Sequence, residues 1–237
     1  GLGSSDGQRV NGIMYEDASA GQKNTFNADN TDRVLFGNLI ANYSGTHATA
    51  LSNIDTTADT FVKASIRLLK IVAKTAKPRI RPFKIKTGQE YFVCFAGSYN
   101  FAQLKADMAT INSDARPRNV EYNPIFPDGD LIYDGVIIRE IQESEDTDTN
   151  TWTSLLTAGA TTSRVAPVFF CGQNALAMPW AKMPTPTFRD ETDYQFIKGA
   201  GVKMCYGVAK IFKKNATNSK LTQFGMVTGF FSSATPG

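Results

Sequence analysis

A helical period in the apolar residues first becomes sustained after residue 55. Phe61, Ser65, Leu68 and Val72, flanked by Val62, Ile66, Leu69 and Ala73, trace one face at 3.6-residue spacing, while Lys63, Arg67, Lys70 and Lys74 make a cationic stripe opposite. Asp55 or Thr56 can cap the free amides and Thr56 with Asp59 has the form of a capping box, so the pattern predicts a helix from Thr56 to Lys74. Lys77-Pro78 ends it, because the residue before proline is pushed out of the helical region. From Arg79 to Lys86 basic and apolar residues alternate, which predicts an extended ribbon with one wet face. Beyond a turn at Gly88, the unbroken apolar run Tyr91 to Phe95 predicts a strand covered on both sides. Ser98 is placed to cap a second helix whose Phe101, Leu104, Met108 and Ile111 keep helical spacing.

The flanks are less regular. Residues 1–53 are rich in Gly, Asn, Ser and Thr with short apolar islands at Ile13 to Tyr15 and Val34 to Ile40, and predict a long, mostly irregular arm that rests on something, another chain or its own surface. Its start at Gly1 implies a processed chain or a piece of a longer one. Gly129 and Gly135 bracket short strands, Val136 to Ile141 the clearest. Residues 142–163 are Thr-rich and acidic, with Glu143, Glu145, Asp146 and Asp148 close together, and predict an exposed excursion. Val165 to Cys171 predicts a buried strand and Gln173 to Met178 a short apolar element, after which Pro179, Pro184 and Pro186 argue against regular structure. Gly199 to Lys213 and Phe224 to Phe231 predict two strands joined by a polar turn around Asn215 to Ser219.

Composition bounds what such a chain can be. Across 237 residues, 42% hydrophobic and 20% charged, there is material for one folded domain with a sizeable core. A formal net charge of +3 is too small to demand a nucleic-acid or membrane partner. No apolar run is long enough to span a bilayer and no leader is visible, which predicts a soluble protein. Cys94, Cys171 and Cys205 lie far apart without a C-x-x-C pair, and predict buried free thiols in a reducing compartment.

Candidate chemistry is sparse. The single histidine, His47, sits in the irregular N-terminal stretch with no partner at a readable spacing. Ala96-Gly97-Ser98-Tyr99-Asn100 lacks the second glycine of a nucleophile elbow, Gly199-Ala200-Gly201 lacks the third of a dinucleotide fingerprint, and no phosphate-binding loop occurs. Asp146, Asp148 and Asn150 imitate the opening of a calcium loop, but Thr151 and Thr157 replace its glycine and glutamate; Asp128, Asp130 and Asp134 read as turn residues. No catalytic, cofactor or metal residue is therefore assigned. What remains is surface: Lys77, Arg79, Arg81, Lys84 and Lys86 interleaved with Phe83 and Tyr91 read as a solvated strand face or as a nucleic-acid-binding ribbon.

The helix from Thr56 to Lys74 is followed in order by Ile80-Arg-Pro82, Gly88 to Phe95, Tyr99 to Asp107, Asn123-Pro-Ile-Phe126, Tyr133 to Ile138, Phe169 to Leu176, Asp193-Tyr194 and Phe224-Gly-Met-Val227, with Asn30 to Gly37 upstream. This ordered set resembles the major capsid proteins of tailed bacteriophages, the family that includes the N-four-like podophages. The resemblance implies an α+β chain of the Hong Kong 97 capsid fold: 1–53 an arm or linker, 54–200 the axial domain core with the acidic loop inserted, and 201–237 strands returning to the peripheral domain. It also implies that the N-terminal arm, extended loop and spine helix usual in that family are missing from this chain.

The function so implied is structural: a non-enzymatic major capsid subunit that self-assembles through pentameric and hexameric capsomers into an icosahedral head. That head is assembled in the host cytoplasm, with packaged DNA on its inner face, a decoration or cement protein outside, and neither membrane nor cofactor. Candidate subunit-interface residues are the cations Lys63, Arg67, Lys70, Lys74, Arg79, Arg81, Lys84 and Lys86, matched to Glu143, Glu145, Asp146 and Asp148 on neighbours. The alternative is a nucleic-acid-binding module using the basic ribbon Lys77 to Lys86.

Overall fold

The structure, a computed structural model, describes residues 15–84, 88–114, 131–142, 152–189, 199–214 and 220–233. In chain order its elements are α1 (Ala20–Asp29), β1 (Val34–Phe36), α2 (His47–Ser52), α3 (Lys63–Thr75), β2 (Phe83–Lys84), β3 (Glu90–Ala96), α4 (Ser98–Asp114), β4 (Leu131–Tyr133) and β5 (Val136–Glu140). They continue with β6 (Val165–Cys171), β7 (Leu176–Ala177), β8 (Trp180–Arg189), β9 (Gly199–Tyr206), β10 (Ala209–Lys210), β11 (Phe212–Lys214), β12 (Leu221–Gln223) and β13 (Met226–Ser232). This is the α+β content expected from the sequence.

A seven-stranded mixed sheet in the order β1-β13-β6-β3-β5-β4, with β2 beside β3, organises the chain. β1 runs parallel to β13 and β3 parallel to β5; the other pairs along that order are antiparallel. Side chains alternate across it. Leu35, Phe92, Cys94, Ala96, Val136, Ile138, Val168, Phe170, Val227 and Phe231 point to one face, where Ile66, Leu69 and Ala73 of α3 and Phe101, Leu104 and Met108 of α4 close the main core. On the other face Val34, Phe36, Val165 and Phe230 pack with Ala50, Leu51, Ile54 and Leu155.

Several expectations are corrected by this architecture. From Ala20 onward the N-terminal stretch is not irregular: it holds α1, α2 and β1, a strand of the main sheet. Thr56 to Val62 is not helical either. The Asp55 carboxylate accepts from the amides of Thr57 and Ala58 and so closes a turn of its own, and Phe61 drops into the core before α3 opens at Lys63. The Ser65 hydroxyl then accepts from the Val62 amide at 2.9 Å. Ser98 is the first residue of α4 rather than its cap, the Gly97 carbonyl accepting from the Phe101 amide at 2.8 Å.

β3 is buried on alternate residues, not on both faces: Phe92, Cys94 and Ala96 join the core with α3 and α4, while Tyr91, Val93 and Phe95 are only partly buried. Of the ribbon expected over Arg79 to Lys86, only Phe83–Lys84 pairs, with Tyr91 and Glu90, and Lys86 lies outside the described residues. Trp152 to Thr162 is not an exposed excursion: two short 3-10 turns seat Leu155 in the second core. The proline connector is the ten-residue strand β8, paired with β9. Among the described residues its only partner is β9, so Pro184 and Pro186 sit in a two-stranded ribbon where a missing amide is tolerated. Among the described residues the C-terminal part forms five strands rather than two, and β13 pairs with β6 over seven residues. Cys94 and Cys171 are buried free thiols as expected, whereas Cys205 is exposed.

Candidate functional site

The candidate surface residues separate into those engaged inside the chain and those left open. Lys63 reaches Asp107 of α4 at 3.4 Å, Lys70 reaches Asp134 at 3.0 Å, and the Arg67 guanidinium lies 5.7 Å from the centre of the Tyr133 ring. Three of the four stripe residues thus tie α3 to its neighbours. Lys84 pairs with Glu90 at 3.4 Å on an exposed strand end. Glu143, Glu145, Asp146 and Asp148 lie outside the described residues.

Lys74, Arg79 and Arg81 instead meet in one cleft of about 740 Å³ between the end of α3 and the loops at Gln173–Asn174 and Phe224. Its wall is built by backbone contacts. The Ile80 amide donates to the Ala73 carbonyl at 3.0 Å, turning the chain back over the helix end, and the Gln173 amide donates to the Arg81 carbonyl at 2.8 Å. Gly172 makes that approach possible: a β-carbon there would stand 2.4 Å from the Arg81 oxygen. Beneath the cleft lies Arg33, fully buried, donating to the carbonyls of Gln223, Pro78 and, at 2.7 Å, Phe224. Burial pulls its pKa below the ordinary value, opposed by Asp32 at 3.6 Å.

Lys74, Lys77, Arg79 and Arg81 are exposed and their side chains form no ion pair among the described residues, although the Asp32 carboxylate accepts from the Lys77 amide at 2.8 Å. Four such cations at one helix end make a local positive field in a chain of nearly balanced charge. The arrangement can hold carboxylates or phosphates; it offers no nucleophile and base in contact.

The remaining titratable cluster is His47, which the sequence left without partners. It is buried, with Nδ1 2.9 Å from Asn27 Oδ1 and Nε2 2.9 Å from the Tyr15 hydroxyl. Because Asn27 Nδ2 donates to the Ser44 carbonyl, its oxygen accepts from His47 Nδ1, leaving Nε2 to accept from Tyr15. Burial, then Lys23, pushes the imidazole down to about 4, so it is neutral at pH 7. It borders an aromatic cavity of about 430 Å³ with Tyr15, Phe26, Trp152, Phe230 and Lys210, whose ammonium burial lowers to about 8. Among the described residues no group of three or more His, Cys, Asp or Glu side chains could hold a metal ion. No helix among them is long and apolar enough to cross a membrane.

Comparison with known proteins decides the family. The profile described as phage capsid protein matches residues 5–231. The chain belongs to that family. Among solved structures, this phage capsid family member is similar to the cyanophage Pam1 capsid asymmetric unit, with 38% identity and a TM-score of 0.72, over 94% of this chain and 60% of that one. It shares its fold with a chain of the capsid of Ralstonia phage GP4, at 13% identity and a TM-score of 0.53, over 88% of this chain and 54% of that one. The capsid family member therefore spans between about half and 60% of the length of these two chains. No curated protein matches it. The resemblance drawn from the ordered segments thus holds at the level of the family.

Proposed function

We propose that the chain is part of the major capsid subunit of a tailed double-stranded DNA phage, a structural protein that tiles with copies of itself into an icosahedral head. The observation that carries this reading is the 38% identity to the Pam1 capsid chain across 94% of these residues. The Hong Kong 97 fold is proposed on the same support, with the seven-stranded sheet and α3 and α4 as the core of the axial domain. β13 joins that sheet, and the rest of 201–237 is proposed to supply strands leading toward the peripheral domain. The arm, extended loop and spine helix of such a fold are assigned to the length that the Pam1 chain has beyond this match.

In the assembled head Lys74, Arg79 and Arg81 are proposed to receive carboxylates of a neighbouring subunit. Modest charged contacts repeated over many heterologous interfaces suit a shell better than one intense site. Sedimentation velocity of the full-length gene product across salt and pH tests the class: capsomer-sized species are expected, and a monomer throughout would contradict it.

A second reading, favoured by the same open cations, is phosphate binding by the cleft, with packaged DNA as the ligand. Duplex affinity should then fall steeply with salt, and Arg79→Gln with Arg81→Gln should flatten that slope. Absence of binding at low salt rejects it.

A further inference from the structure

Tyr15, His47 and Asn27 form a relay in which each proton has one place to go. The Tyr15 hydroxyl donates to His47 Nε2 at 2.9 Å, Nδ1 donates to the Asn27 oxygen at 2.9 Å, and the Asn27 amide donates to the Ser44 carbonyl at 3.1 Å. Among the described residues no carboxylate reaches the imidazole, and the Tyr15 hydroxyl has no other hydrogen-bond partner. β1 and β13 present Phe36 and Phe230, whose ring centres lie 5.6 and 5.3 Å from the imidazole in edge-on contact. The charged groups turned toward this cluster are cations: Lys23 of α1, with Nζ 4.0 Å from the centre of the Tyr15 ring, and Lys210 of β10 in the wall of the aromatic cavity. Glu16 is taken up elsewhere, accepting from the Ser154 amide at 2.7 Å and from its hydroxyl at 2.8 Å, and Asp17 is exposed.

The cover over the relay is thin. Tyr15 and His47 border both the cavity of about 430 Å³ and a second of about 300 Å³ that reaches Asn24 and Ser154, so the Tyr15 ring has open space on two sides. It rests on Trp152 with ring centres 5.2 Å apart and on Phe230 at 6.5 Å. A segment held by so few contacts opens locally at a much lower free energy than a central sheet.

We propose that Tyr15 and Glu16 form an acid-released strap, which protonation of His47 unseats from the second core. A second ring proton places an Nε2–H against a hydroxyl that already donates there. The hydroxyl must then turn its proton toward a site with no acceptor, leaving a buried donor unpaired. The new charge also faces Lys23 with no acid beside it. Lifting the strap lets water reach the ring and removes both penalties. Under the strap the imidazole titrates at about 4, and in water it returns toward ~6.5. Release is therefore least favoured above pH 6.5 and grows as pH falls toward 4, its equilibrium constant rising on the order of a hundredfold. This device stands apart from the capsid reading.

Two measurements on the full-length gene product test it. The first is the titration of His47 followed by nuclear magnetic resonance of its labelled imidazole, the signal assigned by its loss in His47→Gln. Because linkage is reciprocal, a proton that weakens the strap must bind more tightly once the strap is gone. Tyr15→Ala should thus raise the His47 midpoint by about one unit or more, a tenfold easier protonation. An unchanged midpoint would show that Tyr15 does not guard the ring and would overturn the proposal. The second uses the unaltered sequence: hydrogen exchange in the segment 15–19, corrected for the chemical rate, should quicken on the order of a hundredfold from pH 7 to pH 4 while β6 keeps its protection. In His47→Gln that acceleration should vanish. A segment whose exchange ignores pH overturns the strap, and an acceleration that survives in His47→Gln but disappears in Glu16→Gln places the trigger at Glu16 and overturns the role given to His47.

Discussion

Gly37 lies against the carboxylate of Asp59 so closely that a β-carbon at Gly37 would stand 2.2 Å from Asp59 Oδ1, and its φ of +65° is one that side chains avoid. The buried Asp59 carboxylate accepts from the Asn38 amide at 2.6 Å and from the Asn42 side chain and Asp55 amide at 3.0 Å each, while its carbonyl accepts from the Ser232 amide at 3.0 Å. One acid thereby fastens the turn after β1, the segment before α3 and the end of β13. Gly37→Ala should displace that carboxylate as well as strain the backbone, a loss of about 3 kcal/mol. Urea unfolding followed by circular dichroism checks it; a loss under about 1 kcal/mol would show that the carboxylate yields without cost.

Arg33 should be as sensitive for a different reason. Its guanidinium serves three carbonyls contributed by two distant parts of the chain. Arg33→Met would leave those oxygens unpaired and cost about 3 kcal/mol. Arg33→Lys should not rescue it, since a point-like ammonium cannot replace the planar fork. Hydrogen exchange should quicken at Ile80 and Gln173, whose amides hold the cleft wall.

His47 sets the acid limb of stability. Its pKa is about 4 when folded, below the 6.5 of the free side chain, so folding favours the neutral ring. The contribution is complete above pH 6.5 and is lost as pH falls from 6.5 toward 4, on the order of 3 kcal/mol in all. His47→Gln should flatten the stability profile over that window and leave the slope at lower pH, where carboxylates titrate, unchanged. An equally steep profile in the variant would assign the effect elsewhere.

The three thiols should report burial directly. Cys205 is exposed, whereas burial raises Cys171 to about 11 and Cys94 further still. A chromogenic disulfide reagent at pH 8 should titrate one thiol in the native chain and all three in denaturant. More than one fast thiol in the native state would contradict the packing of β3 against β6.

Legibility in the sequence tracked how local each signal is. Val165 to Cys171 and Val136 to Glu140 were readable because buried central strands announce themselves as apolar runs, and the body of α3 because its apolar face recurs through three turns. The start of α3 was misread because Asp55 satisfies amides in a turn with the same chemistry it would use in a helix cap. β1 and α2 are three and six residues long, too short for periodicity to register, and are set by contacts from far along the chain, such as Arg33 with Phe224. β8 was hidden by its prolines, although the alternation of Val202, Met204 and Tyr206 with Gly201, Lys203 and Cys205 was there to be read in its partner. Arg79 and Arg81 are exposed, and their meeting with Lys74 depends on the backbone turning at Ile80, which no spacing rule encodes.

Self-assembly is the central claim, and electron microscopy of the purified full-length gene product under assembly conditions tests it most directly. Closed shells of uniform diameter are the predicted result. A preparation of folded, isolated molecules that forms no particles at any concentration, salt or pH would contradict the account.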